Sequence, residues 1–321
     1  MSARQQFQRV KRFLLNDKAR RKSVTYISLG VISRTGFRMN NLSAFLSIVR
    51  PLNVFIAGLS IALAAALVEA RLFCASVACA VISGMFITAG ANVINDICDV
   101  AIDRINKPQR ILPSGRMSVQ TARIYTIILL ACGVIFSIFA NIFAALIAAS
   151  CAFLVIVYSV WLKRRPLIGN LVVSLVSALA FIFGTFAACT ETLQWRVGIF
   201  PALFAFLFHF GREVVKDIED RHGDEAVNAR TLPLAYGLRA AQITATLAFT
   251  TLAIAVLLPF QSGFYQQPYL WIILLGVYPV LIFAMWQVWR NPQVQPMRLT
   301  SNLLKADMLI GLLAIWLGSQ R

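Results

Sequence analysis

Nine long apolar segments, near residues 52–70, 74–98, 119–140, 142–162, 167–189, 196–216, 238–258, 269–289 and 302–319, leave this chain few ways to fold. Each is close to the roughly 20 residues an α-helix needs to cross a bilayer. Lipid offers no partner to a stray backbone N–H or C=O, so such segments must close their hydrogen bonds internally, as helices. Charged residues make up only 13% of the 321 positions, about half the share in an ordinary soluble domain. The pattern predicts an all-α, polytopic membrane protein with nine transmembrane helices.

Charge placement gives this array a direction. Residues 1–50 hold eleven Lys or Arg and a single acid, Asp17, and the apolar patch at 24–32 is too short to span. Residues 1–43 are therefore read as a basic cytoplasmic arm that need not fold, and 44–321 as the transmembrane domain. The arm suits topology or anionic lipid better than nucleic acid. No long apolar core follows a short charged start, so a cleaved signal is not expected, and Met39 could itself serve as a start. With the arm inside, every one of the 30 Lys and Arg except Arg71, Arg196 and Arg321 falls on the cytoplasmic side. The expected location is the cell (plasma or inner) membrane, with the site facing the cytoplasm.

Two of the segments end in acid. Asn92 to Gly115 reads NVINDICDVAIDRINKPQRILPSG and spaces Asp96, Asp99 and Asp103 three and four residues apart, on one helix face with Asn92 and Asn95. Asp217, Asp220 and Asp224 repeat that spacing, each 121 residues after its counterpart (96 and 217, 99 and 220, 103 and 224), with Glu213 in the place of Asn92. The same offset lays the first segment on the fifth, the third on the seventh and the fourth on the eighth. This implies two four-helix units plus one helix around a central cavity. The second and sixth segments run the same way, so both stripes end on the cytoplasmic side, where loops at 103–118 and 217–237 would cap the cavity.

A carboxylate at the centre of a spanning helix costs about 2.5–3.5 kcal/mol, so three on one stripe call for something cationic. Hard divalent cations take oxygen ligands, and Mg²⁺ is held by a few carboxylates together with substrate phosphates. Lys107, Arg110, Lys163, Arg164, Arg212, Lys216 and Arg230 lie at the same ends, suited to the remaining charge of a diphosphate. A diphosphate whose organic part belongs among apolar helices is most simply a polyprenyl diphosphate. Helix-end ion pairing alone is the plainer alternative. A transporter would carry its acids nearer the bilayer midplane, without this crowd of Lys and Arg.

The motifs Asn95-Asp96-x-x-Asp99-x-x-x-Asp103 and Asp217-x-x-Asp220-x-x-x-Asp224 resemble the two signatures of the UbiA-type intramembrane prenyltransferases, and the likeness covers about residues 40–321. It implies Mg²⁺-dependent prenyl transfer, with Asn95, Asp96, Asp99, Asp103, Asp217, Asp220 and Asp224 as catalytic residues. Among them Asn95, Asp99, Asp103, Asp220 and Asp224 would hold the metal. Lys107, Arg110, Lys163 and Lys216 would bind the diphosphate, Arg212 and Arg230 an acceptor phosphate, and Tyr158 and Asn170 would line the acceptor side.

IDRINKPQRILPSG, YSVWLKRRPLIGN and GREVVKDIEDRHGDEAVNARTLPLAYG look most like the digeranylgeranylglyceryl phosphate synthases of that family. The likeness implies geranylgeranyl transfer to geranylgeranylglyceryl phosphate, giving an ether lipid precursor. Chlorophyll synthases share part of this wording, so an aromatic or tetrapyrrole acceptor stays open. Ile97, Cys98 and Ile111 depart from the family's usual aromatics and proline, at cavity-wall and loop positions rather than at ligands. His209 and the loop residue His222 are weak candidates for a base. The six cysteines all fall in apolar segments, without zinc or disulfide spacing.

Overall fold

The computed structural model describes residues 41–68, 74–163, 165–188, 194–226 and 229–320. Most of the basic arm, Arg71, Arg164 and Cys189 lie outside the described residues. Among those described the regular structure is entirely helical. In chain order the main helices are α1 (Asn41–Ile48), α2 (Pro51–Ala66), α3 (Ala75–Asn106), α4 (Val119–Ile138) and α5 (Ile142–Leu162). They continue as α6 (Ile168–Ala188), α7 (Ile199–Ala226), α8 (Leu238–Ala255), α9 (Gln267–Arg290) and α10 (Val294–Ser319).

Eight described helices are long and apolar enough to span a membrane unaided. The ninth expected span, α2, has 16 residues and passes only together with α1, from which it bends by 54°. That bend is built at Arg50, whose φ of 55° is left-handed, followed by Pro51 at the first helical position. Two other helices start on side-chain caps: the Ser118 hydroxyl accepts from the Thr121 N–H at 3.0 Å, and Asn141 Oδ1 from the Ala144 N–H at 2.8 Å.

Apolar residues cover these helices all round, as lipid requires. On α4, Ile124, Ile127, Ile128 and Ile135 are exposed while Ala122, Leu129 and Leu130 are buried. Residues from Ser43 to Arg321 pack as one unit. Within it α2 lies against α6, the two helices that the 121-residue offset superposes, and α3 touches α7. Their approach is close at Gly184, where a Cβ would stand 2.3 Å from the Ile61 carbonyl oxygen. Small residues of this kind let helices meet backbone to backbone in lipid.

The acid-bearing ends differ from the expected loops. Helix α3 runs on through Asp103 to Asn106, and α7 through His222 to Ala226, so every aspartate of both stripes stands on a helix. At 32 residues α3 is about 48 Å long, against a hydrocarbon core of about 30 Å. Its last turns thus have room beyond the apolar span, and lysine and arginine partners neutralise their carboxylates.

Candidate functional site

The first stripe is buried and held by cations from three directions. Asp96 pairs with Arg50, placed by the bend before α2, and with Arg110 Nη1 at 3.4 Å. Arg110 also reaches Asp103 Oδ2 at 2.6 Å from the loop after α3. Burial opposes the charge of Arg110, but the Asp96 and Asp103 carboxylates outweigh it and raise its pKa above the ordinary guanidinium value. Lys163 pairs with Asp99 and donates to Asn95 Oδ1 at 2.7 Å, while Asn95 Nδ2 donates to Asp99 Oδ2 at 3.1 Å. A π-helical turn at Tyr158–Leu162 precedes Lys163, whose N–H bonds back to the Tyr158 carbonyl at 2.9 Å. Such turns insert one residue into the helical ladder and recur at functional sites.

The second stripe meets the first end to end. Lys107, just past α3, donates from Nζ to Asp220 Oδ1 at 2.7 Å and lies 3.4 Å from Glu219. Asn106 Nδ2 donates to the Asp220 carbonyl at 3.2 Å. Gly223 makes room for this contact, since a Cβ there would stand 2.3 Å from Asn106 Nδ2. Asp217 Oδ2 accepts from Asn170 Nδ2 at 2.9 Å, across from α6.

Asn95, Asp99, Asp103, Asp217, Asp220 and Asp224 line one polar cavity of about 60 Å³, together with Lys107, Arg110, Lys163 and Lys216. Asp96 sits at its edge through Arg50 and Arg110. Tyr158, Arg50, Asn95, Glu213 and Lys216 also line a second, larger chamber of about 280 Å³, so the two spaces adjoin. Apolar side chains such as Ile56, Ile87, Val172, Val176 and Phe181 line much of that chamber, beside polar ones such as Asn53, His209, Arg212 and Lys305.

The oxygen donors converging on the polar cavity are those that hard divalent cations take. Among the described residues, however, no three acids stand close enough to grip one ion as they are. In this arrangement lysine and arginine supply the positive charge, and a metal would have to share or replace them.

Several expected residues separate from the rest. Arg230 is exposed and lines neither space. Arg212 lines only the larger chamber, where it lies 3.5 Å from Glu213 and donates from Nε to the Ser301 carbonyl at 3.3 Å. His209 faces that chamber rather than the acids, and His222 is exposed on α7. Sequence reasoning gave no role to Arg50, Asn106, Glu213 or Lys305, all of which line or bridge the site. The overlooked signal at Lys305 was an ionisable residue, with Asp307 two positions on, within a mainly apolar span, a functional hypothesis by default.

Comparison with known proteins agrees with this geometry. The model of the UbiA prenyltransferase family matches residues 53–309. A digeranylgeranylglyceryl phosphate synthase of Methanopyrus kandleri is 36% identical over 274 residues, which are 84% of this chain and 97% of that protein. A solved structure concerned with digeranylgeranylglyceryl phosphate synthase in membranes is 31% identical, with a TM-score of 0.67 over 88% of this chain and 99% of its own. The UbiA homolog from Archaeoglobus fulgidus bound to GPP and Mg²⁺ has the same fold at 17% identity, with a TM-score of 0.60 over 85% and 99%. This chain is an integral membrane enzyme that belongs to the UbiA prenyltransferase family.

Proposed function

We propose that the protein transfers a geranylgeranyl group from geranylgeranyl diphosphate to geranylgeranylglyceryl phosphate in a Mg²⁺-dependent reaction, forming an ether lipid precursor and releasing diphosphate. The observation that carries this reading is the meeting of two acidic helix ends around a polar cavity that adjoins a larger, partly apolar chamber. The name of the Methanopyrus kandleri relative supports the substrates, and the Archaeoglobus fulgidus homolog supports a prenyl diphosphate held with Mg²⁺.

Asn95, Asp99, Asp103, Asp220 and Asp224 are the residues that would hold the metal, with Asp96 and Asp217 supporting them. When bound, Mg²⁺ neutralises charge that gathers on the diphosphate as the allylic C–O bond breaks. Lys107, Arg110 and Lys163, now paired with these acids, take the remaining diphosphate oxygens. The electron pair of the broken bond leaves with diphosphate. The free hydroxyl oxygen of the acceptor then bonds to the allylic carbon, and its proton passes to pyrophosphate or a carboxylate. Tyr158, which lines both spaces, would face the acceptor, and Asn170, which lines the acidic cavity beside Asp217, would support that side. The apolar part of the chamber's wall would keep water from the allylic carbon. The distribution of Lys and Arg supports a cytoplasm-facing site in the cell membrane.

The test is purified protein with Mg²⁺ and geranylgeranyl diphosphate, offered geranylgeranylglyceryl phosphate beside several aromatic acceptors. Ether formation with the phosphorylated lipid, stopped by EDTA and restored by Mg²⁺, is the expected outcome. Preferential prenylation of an aromatic acceptor would overturn the acceptor, and full turnover in EDTA would overturn the metal.

A further inference from the structure

The two adjoining spaces differ in charge balance. Six carboxylates and five lysines or arginines line the polar cavity, whereas the larger chamber is lined by Arg50, Arg212, Lys216 and Lys305 against one carboxylate, Glu213. Arg50 is committed to Asp96, and Glu213 is shared between Lys216 at 2.8 Å and Arg212 at 3.5 Å. Lys305, on α10, lines this chamber together with Arg50, Arg212 and Lys216, and among the described residues it is in no ion pair. Asp307, two residues further on, lines a different, apolar cavity instead. Gathering like charges beside apolar walls costs free energy unless an anion joins them.

We propose that Arg212, Lys216 and Lys305 form a metal-free anion site for the phosphate monoester of the acceptor lipid, with Lys305 the residue that separates phosphorylated from unphosphorylated acceptors. This rests on the reading of a phosphorylated acceptor and adds its recognition element. Arg212 and Lys305 line only the chamber, while Lys107, Arg110 and Lys163 line only the acidic cavity. Lys216 lines both, so the acceptor phosphate and the donor diphosphate occupy neighbouring but separate seats. The acceptor's chain then lies along Val172, Val176 and Met308.

The experiment is equilibrium binding of geranylgeranylglyceryl phosphate, and of geranylgeranylglycerol without the phosphate, to detergent-purified protein in EDTA. Wild type is expected to prefer the phosphorylated lipid by at least about tenfold, and Lys305→Met to lose most of that preference. Lys305→Arg, which keeps the charge, should retain it. Mg²⁺-dependent donor binding should change by less than about twofold in Lys305→Met. Three results would overturn the site: no phosphate preference in wild type, an unchanged preference in Lys305→Met, or equal loss of both lipids. Binding is read without turnover, so a wild type that binds the phosphorylated lipid but does not prenylate it counts against the reaction and not against this site.

Discussion

The stripes on α3 and α7 share a spacing but not an environment. On α3, Asp96, Asp99 and Asp103 are all buried, and each is paired with a lysine or arginine. On α7, Asp220 has Lys107 and keeps 25% of its side chain exposed, whereas Asp217 is met by the neutral Asn170. Among the described residues neither Asp217 nor Asp224 has a lysine or arginine in ion-pair contact, although both line the same cavity. The chain thus carries one acid pattern twice, and the surroundings make one copy a neutralised wall and the other an under-neutralised one. The α7 side is where added positive charge gains most.

Substitutions can break this contrast. The largest effect is expected on turnover. Asp99→Asn and Asp220→Asn should each lower it by at least about 100-fold, measured as product formed per protein, with the detergent-solubilised fold intact. A wild-type rate in either would remove that stripe from the chemistry.

Stability should separate the stripes next. Lys163→Met strands the buried Asp99 and Asn95 groups, and a loss of about 1–3 kcal/mol is expected in thermal or denaturant unfolding. Asn170→Ala removes a single neutral partner from Asp217 and should cost only about 1 kcal/mol. Equal losses would mean that the two walls are not differently held. Gly223→Ala sharpens the point about their meeting, because its new methyl displaces Asn106 from the end of α3. Turnover should fall further than the melting temperature; an unchanged rate would show that this contact does not set the geometry.

Much of this was legible in the sequence, for physical reasons. Apolar length marked the spans, and the three-then-four spacing put each set of aspartates on one face, so their convergence and the role of Lys107 and Lys163 as neighbours were foreseeable. The extent of α3 and α7 was not, because hydropathy falls where the acids begin while the helix continues. Arg50 stood just after the basic arm as one more positive charge, and the left-handed turn before Pro51 aims it at Asp96. Arg230 shows the opposite case, since a position near the second stripe in sequence is exposed and lines neither cavity.

The central claim is that both helix ends grip one metal-bound diphosphate. Its most direct measurement is Mg²⁺-dependent binding of geranylgeranyl diphosphate to wild type, Asp99→Asn, Asp220→Asn and the double variant. A shared site predicts that either single change removes most of the Mg²⁺-dependent affinity and that the second adds little. Losses that simply add in the double variant, or an unaltered affinity in one single variant, would contradict it.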